Sequence, residues 1–171
     1  MNNETNEDII LVGAAGIYRR VNLENGWRET GILIPFDSDL DSLGFTLVGD
    51  LVCSALAIGI LRCYVHPVEN TIALVLVGIK DGDLSVVGVF FDVRFGDDAT
   101  LTTTTSPAVQ ERLGKGLHKK AYPWKGIYDL YHRHQAHINE LRPAHGEVQP
   151  VKVTLLAVAQ SIDAASVREA S

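Results

Sequence analysis

Five of the six histidines crowd into one stretch: His132, His134 and His137 within six residues, with His118 and His145 on either side. Imidazoles at i and i+3 or i+4 of a helix can meet on one metal ion, and His134 and His137 have that spacing, with Glu140 three residues further on. The HExxH pattern is missing, so no carboxylate takes the general-base position of that motif. The expectation is therefore no metal and no other cofactor; a metal, if bound, would sit on His134 and His137. His134 also falls in the middle of an apolar helical stripe, which predicts a core imidazole bonded to a threonine hydroxyl or a strand carbonyl. In a crevice open to water the same ring would be the acid-base residue of a small enzyme.

Two further groups could hold a ligand. Asp92 and Arg94 are two apart in a strand and share a face with Thr102, a charged and hydroxylated surface suited to an anionic or polyhydroxylated molecule. The bland alternative is a solvated sheet face, which antiparallel sheets commonly keep. The second group is the basic, aromatic loop with Lys119, Lys120, Tyr122 and Trp124, placed just ahead of a helix whose free amides would favour anions. Its aromatics could equally anchor a protein partner or simply close the core.

Other chemistries lack their signatures. There is no G-x-S-x-G, and Cys53 and Cys63 lack a local basic partner that would activate a thiol and lack CxxC spacing, which predicts two buried thiols in a reducing cytoplasm. The apolar run 9–12 followed by Gly13-Ala14-Ala15-Gly16 suggests a dinucleotide site, but G-x-G-x-x-G is not formed and Asn22, Asn25 and Gly26 interrupt any receiving helix. A turn between two short strands is expected there.

The elements that must position these residues are read from periodicity and turns. Residues 71–79 and 84–95 are apolar and β-branched, joined by Lys80-Asp81-Gly82-Asp83; Asp-Gly between such runs marks a hairpin. In the second strand Val87, Val89, Phe91, Val93 and Phe95 form one alternating set, expected to face the core. A three-residue Gly96-Asp97-Asp98 turn then pairs Phe95 with Ala99 and Val93 with Leu101, and puts Asp92, Arg94, Thr100, Thr102 and Thr104 on the opposite face. With residues 57–66 before and 99–105 after, a meander results. Residues 31–35 read as extended, Asp37 to Ser42 as a capped helical turn, and 109–113 as a short helix followed by an irregular loop. A long helix should start near Pro123, end at Pro143, and bury Ile127, Leu130, Tyr131, His134, Ile138 and Leu141. Residues 151–169 suit a second helix. Residues 45–56 and 151–157 are ambiguous between helix and strand.

The 171 residues, 46% hydrophobic and 21% charged, suffice for one core-forming domain over 9–171 behind a flexible acidic tail at 1–8. A net charge of −6 argues against nucleic acid, which binds concentrated positive charge. Residues 51–61 are uncharged but too few to span a bilayer, and no secretory leader is visible. The sequence thus predicts a soluble, cytoplasmic α+β domain: an antiparallel meander of four to six strands, a long C-terminal helix on one face and a second terminal helix. The expected function is a non-catalytic module that binds a small ligand or a protein partner, either as a single chain or as a homo-oligomer. The alternative is the acid-base enzyme centred on His134, with or without metal assistance through His137.

Overall fold

The structure, a computed structural model, describes residues 8–22, 30–54, 59–81, 83–106, 116–123 and 125–170. Trp124, the expected helix at 109–113 and nearly all of the N-terminal tail lie outside the described residues. The chain forms an α+β fold around one eight-stranded sheet whose strands lie side by side in chain order. They are β1 (Ile9–Val12), β2 (Ile17–Val21), β3 (Thr46–Cys53), β4 (Ile60–His66), β5 (Thr71–Lys80), β6 (Asp83–Arg94), β7 (Thr100–Thr104) and β8 (Leu117–Ala121). All neighbours are antiparallel except β7 and β8, which run parallel. The expected meander is the β4–β7 core; β1–β3 extend it at one edge and β8 at the other.

Turn chemistry sets the central register. Lys80 pairs with Asp83 across the first turn, and Val93 with Leu101 across the second, with the Phe95 amide donating to the Ala99 carbonyl at 2.8 Å. Asp81 and Asp98 take φ of 54° and 69°, the left-handed region that Asp tolerates better than most residues. One face assignment fails. A bulge at Leu76/Val77 pairs Val77 with Val86, so Val86 packs inward and Val87 is 51% exposed. An extra residue in one strand reverses the alternation beyond it.

Among the described residues three α-helices, α1 (Ile34–Ser42), α2 (Ile127–His145) and α3 (Leu155–Ala170), cover the sheet. Residues 31–35 are not extended: a 3-10 turn (Thr30–Leu33) leads into α1, with Pro35 in its first turn, where the missing N–H costs nothing. In α2 the stripe of Ile127, Leu130, Tyr131, His134 and Ile138 is buried as expected. Its ends differ, since Gly126 forms the N-cap and the helix passes Pro143 by two residues before Gly146, at φ 84°, donates back to the Arg142 carbonyl at 2.8 Å. Of the ambiguous stretch 45–56, Thr46–Cys53 is strand and residues 55–56 lie outside the described residues, while helix α3 starts only at Leu155.

The layering is the main departure. Helices α1 and α2 pack on one face through Tyr64, Ala73, Val75 and Phe91. Leu155, Val158 and Ala159 of α3 pack on the other, against Leu51, Leu61, Cys63 and Leu74. Asp163 fastens α3 down by accepting from the Ala14 and Ala15 amides (3.0 and 2.8 Å) and the Tyr18 hydroxyl (3.2 Å). The sheet face expected to be wet therefore lies partly beneath a helix. Among the described residues no helix is long and apolar enough to cross a membrane.

Candidate functional site

Strand register places the charged residues in rows. Ile72 of β5, Asp92 of β6, Thr102 of β7 and Lys119 of β8 are successive cross-strand neighbours. The row on one side reads Leu74, Phe90, Thr104 and Ala121, and that on the other Arg94, Thr100 and Leu117. At about 4.8 Å between strands, this face grades from apolar on β4–β5 to polar on β7–β8. Lys119 reaches it because Leu117–Ala121 is an edge strand rather than the irregular loop expected from sequence. Docked parallel to β7, it alternates Leu117 and Lys119 toward α3 with His118 and Lys120 toward α2.

Between this face and α3 lies a cavity of about 270 Å³. Leu61, Leu74, Leu76 and Phe90 line its apolar part, Ile162 and Ala165 its helical wall, and Asp92, Thr102 and Lys119 its polar end. A second cavity of about 330 Å³ adjoins it, lined by Asn70, Gln149, Lys152 and Gln160. Asp92, Arg94 and Ser161 border both, so the two form one cleft with a dry and a wet half. Each half is near the lower size limit of small-molecule sites.

The electrostatics of the cleft follow from this gradient. Burial pushes the Asp92 carboxyl up to about 6, against the Thr102 hydrogen bond and the Lys119 charge, with Glu169 adding to the rise. The Thr102 hydroxyl donates to Asp92 at 2.5 Å. Lys119 forms an ion pair with Glu169 near the C-terminus of α3. The Arg94 side chain is half-buried and has no carboxylate partner among the described residues.

The other expected residues are elsewhere. Tyr122 faces α2, where its hydroxyl meets His137 Nε2 at 2.5 Å and Arg133 lies 4.7 Å above its ring. His137 Nδ1 faces Glu140 at 3.3 Å, so both of its nitrogens are engaged. Lys120 shares the α2-side face of β8 and borders neither cavity. His134 is fully buried, with Nδ1 and the Thr103 hydroxyl sharing a 2.8 Å hydrogen bond and Phe91 beside the ring. Its Nε2 has no partner among the described residues, and burial pulls its pKa down to about 3. It lines neither cavity, an environment that keeps the imidazole neutral. Among the described residues no three His, Cys, Asp or Glu side chains converge as metal ligands.

Two groupings escaped the sequence reading. Arg62 is buried between Asp37 (3.0 Å) and Asp50 (3.3 Å), and the Tyr64 hydroxyl also donates to Asp37. At the far end of α2, Asp97, His145 and His118 form a chain of contacts from residues up to 48 apart in sequence. No local pattern announces either one.

Searches against protein-family models, curated proteins and solved structures find no match to this chain.

Proposed function

We propose that the protein is a non-catalytic binder of a small amphipathic anion, an apolar body with a carboxylate, sulfonate or phosphate head. The observation that carries this reading is the graded cleft beneath α3, with Arg94 at the junction of its dry and wet halves. An apolar body would gain about 25 cal/mol for each Å² it removes from water against Leu74, Leu76, Phe90 and Ile162. The head would take Arg94 as its counter-charge, with Lys152 on the wet side. Lys119 is already occupied by Glu169 and serves as wall.

Asp92 tunes the site. Ionised, it repels an incoming anion; protonated, it can donate to one. Binding therefore strengthens as pH falls through about 6, the range in which Asp92 takes up its proton.

Fluorescence titration with anilinonaphthalene sulfonate, an apolar ring system with an anionic head, tests the reading on the folded protein. Saturable binding at one site is expected. Arg94→Ala should weaken it about tenfold, the size of one charge-assisted hydrogen bond. Ala165→Phe, which fills the dry half, should abolish it while thermal unfolding stays cooperative. Binding that ignores both substitutions would overturn the proposal.

A further inference from the structure

The chain Asp97–His145–His118 lies on the α2 side of the sheet, away from the cleft. His145 is the last residue of α2, His118 is in β8, and Asp97 is in the β6–β7 turn. Asp97 Oδ2 is 2.6 Å from His145 Nδ1, and the Asp97 amide donates to the His145 carbonyl at 3.3 Å, so the two residues are tied twice. An ionised carboxylate only accepts, so His145 carries a proton on Nδ1, and its neutral ring has a bare lone pair at Nε2. That lone pair is directed at His118 Nε2, 3.2 Å away, with the two rings at 62°.

Two imidazoles on a tetrahedral ion, each about 2.0–2.1 Å from it, have their nitrogens roughly 3.3 Å apart. The His118–His145 spacing matches that, and a carboxylate on the far nitrogen of a ligating histidine is the usual outer support of such a ligand. The C-terminal end of α2 adds the negative pole of its dipole, which favours a cation. The Lys120 charge, two residues along the same strand, opposes one.

We propose that His118 and His145 bind one divalent transition-metal ion of the zinc, nickel or copper class through their Nε2 atoms, with Asp97 holding His145 in the ligating tautomer. With no third His, Cys, Asp or Glu converging among the described residues, water completes the shell. Imidazole suits these borderline ions, whereas calcium and magnesium require oxygen ligands.

The test is calorimetric titration of the full chain with zinc chloride near neutral pH. One ion per chain is expected, and His118→Gln and His145→Gln should each weaken binding at least about tenfold, with Asp97→Asn costing about tenfold through its outer-shell role. His137→Gln should leave it unchanged. Absence of saturable binding, or binding indifferent to both glutamine variants, would overturn the site and leave a plain histidine–histidine hydrogen bond. Should either variant fail to fold, nitrogen-15 NMR of the native imidazoles decides: zinc must shift Nε2 of His118 and His145 together, and shifts confined to other histidines contradict the proposal.

Discussion

Thr102 donates its hydroxyl to the carboxylate of Asp92, its direct cross-strand partner, and so fixes a titratable group at the polar end of an otherwise apolar cavity. The bond offsets only part of the desolvation, because the Asp92 pKa still rises to about 6, against ~3.9 in an unfolded chain. Between those values the folded state keeps a proton that the unfolded state releases. The Asp92 contribution to stability is therefore full below about pH 4 and is lost as pH rises through about 6. Asp92→Asn, which can still accept from Thr102, should raise unfolding free energy at neutral pH by about 1–3 kcal/mol and remove this slope. Urea denaturation of both proteins across pH checks it, and equal profiles would contradict the assignment.

His134 titrates with the opposite sign. Its folded pKa, drawn down to about 3, lies below the ~6.5 of an unfolded histidine. Its contribution is present above about pH 6.5 and is lost as pH falls toward 3, where unfolding is favoured because it lets the ring charge. Proton NMR should find the His134 imidazole neutral and non-titrating from pH 8 to 5. A midpoint near 6.5 would contradict its burial against Thr103 and Phe91 and would reopen the acid-base reading.

Arg62 supplies a larger effect. It is buried between Asp37 and Asp50, and Asp50 is 9% exposed. Arg62→Met should cost about 3–5 kcal/mol, because it removes the cation that Asp37 and Asp50 both face in a buried site, and adding Asp50→Asn should recover part of that loss by removing one of the two negative charges. A double variant no more stable than the single would contradict the charge balance between Arg62 and Asp50. Guanidinium denaturation of the two variants measures this.

How much of this was legible in the sequence depended on the range of the signal. Asp-Gly and Gly-Asp-Asp turns are local, so the β5–β6–β7 register and its charged face followed from a few residues. The α2 stripe, including His134, followed from its 3.6-residue period. Strand β8 did not, because Leu117–Ala121 carries three basic side chains and becomes a strand only by docking on the β7 edge. The placement of α3 had a signal that went unused. In β5 both alternating sets are apolar, Ile72, Leu74 and Leu76 as well as Ala73, Val75 and Val77, and such a strand needs cover on both faces. Asp92 and Arg94 drew attention to the wet end of that face and away from its dry end. The His118–His145–Asp97 grouping is purely tertiary.

Gly59, at the entrance to β4, tests the backbone. It sits at φ 126°, and a Cβ there would come within 2.2 Å of the Val77 carbonyl oxygen, beside the β5–β6 bulge. Gly59→Ala combines an unfavourable φ with a clash against backbone that cannot rotate away, and should cost roughly 2 kcal/mol or more. Thermal unfolding gives the comparison; an unchanged midpoint would mean that the bulge relaxes freely.

The occupant proposed for the cleft beneath α3 is an amphipathic anion with its apolar body in the dry half and its head at Arg94. Nitrogen-15 and methyl NMR, during titration with a medium-chain fatty carboxylate, tests it most directly. Saturable shifts are expected at Leu74, Leu76, Ile162, Ala165 and Arg94, with affinity strengthening as pH falls through about 6 and losing that pH dependence in Asp92→Asn. Shifts that never saturate, or that map to the α2 face instead, would contradict it.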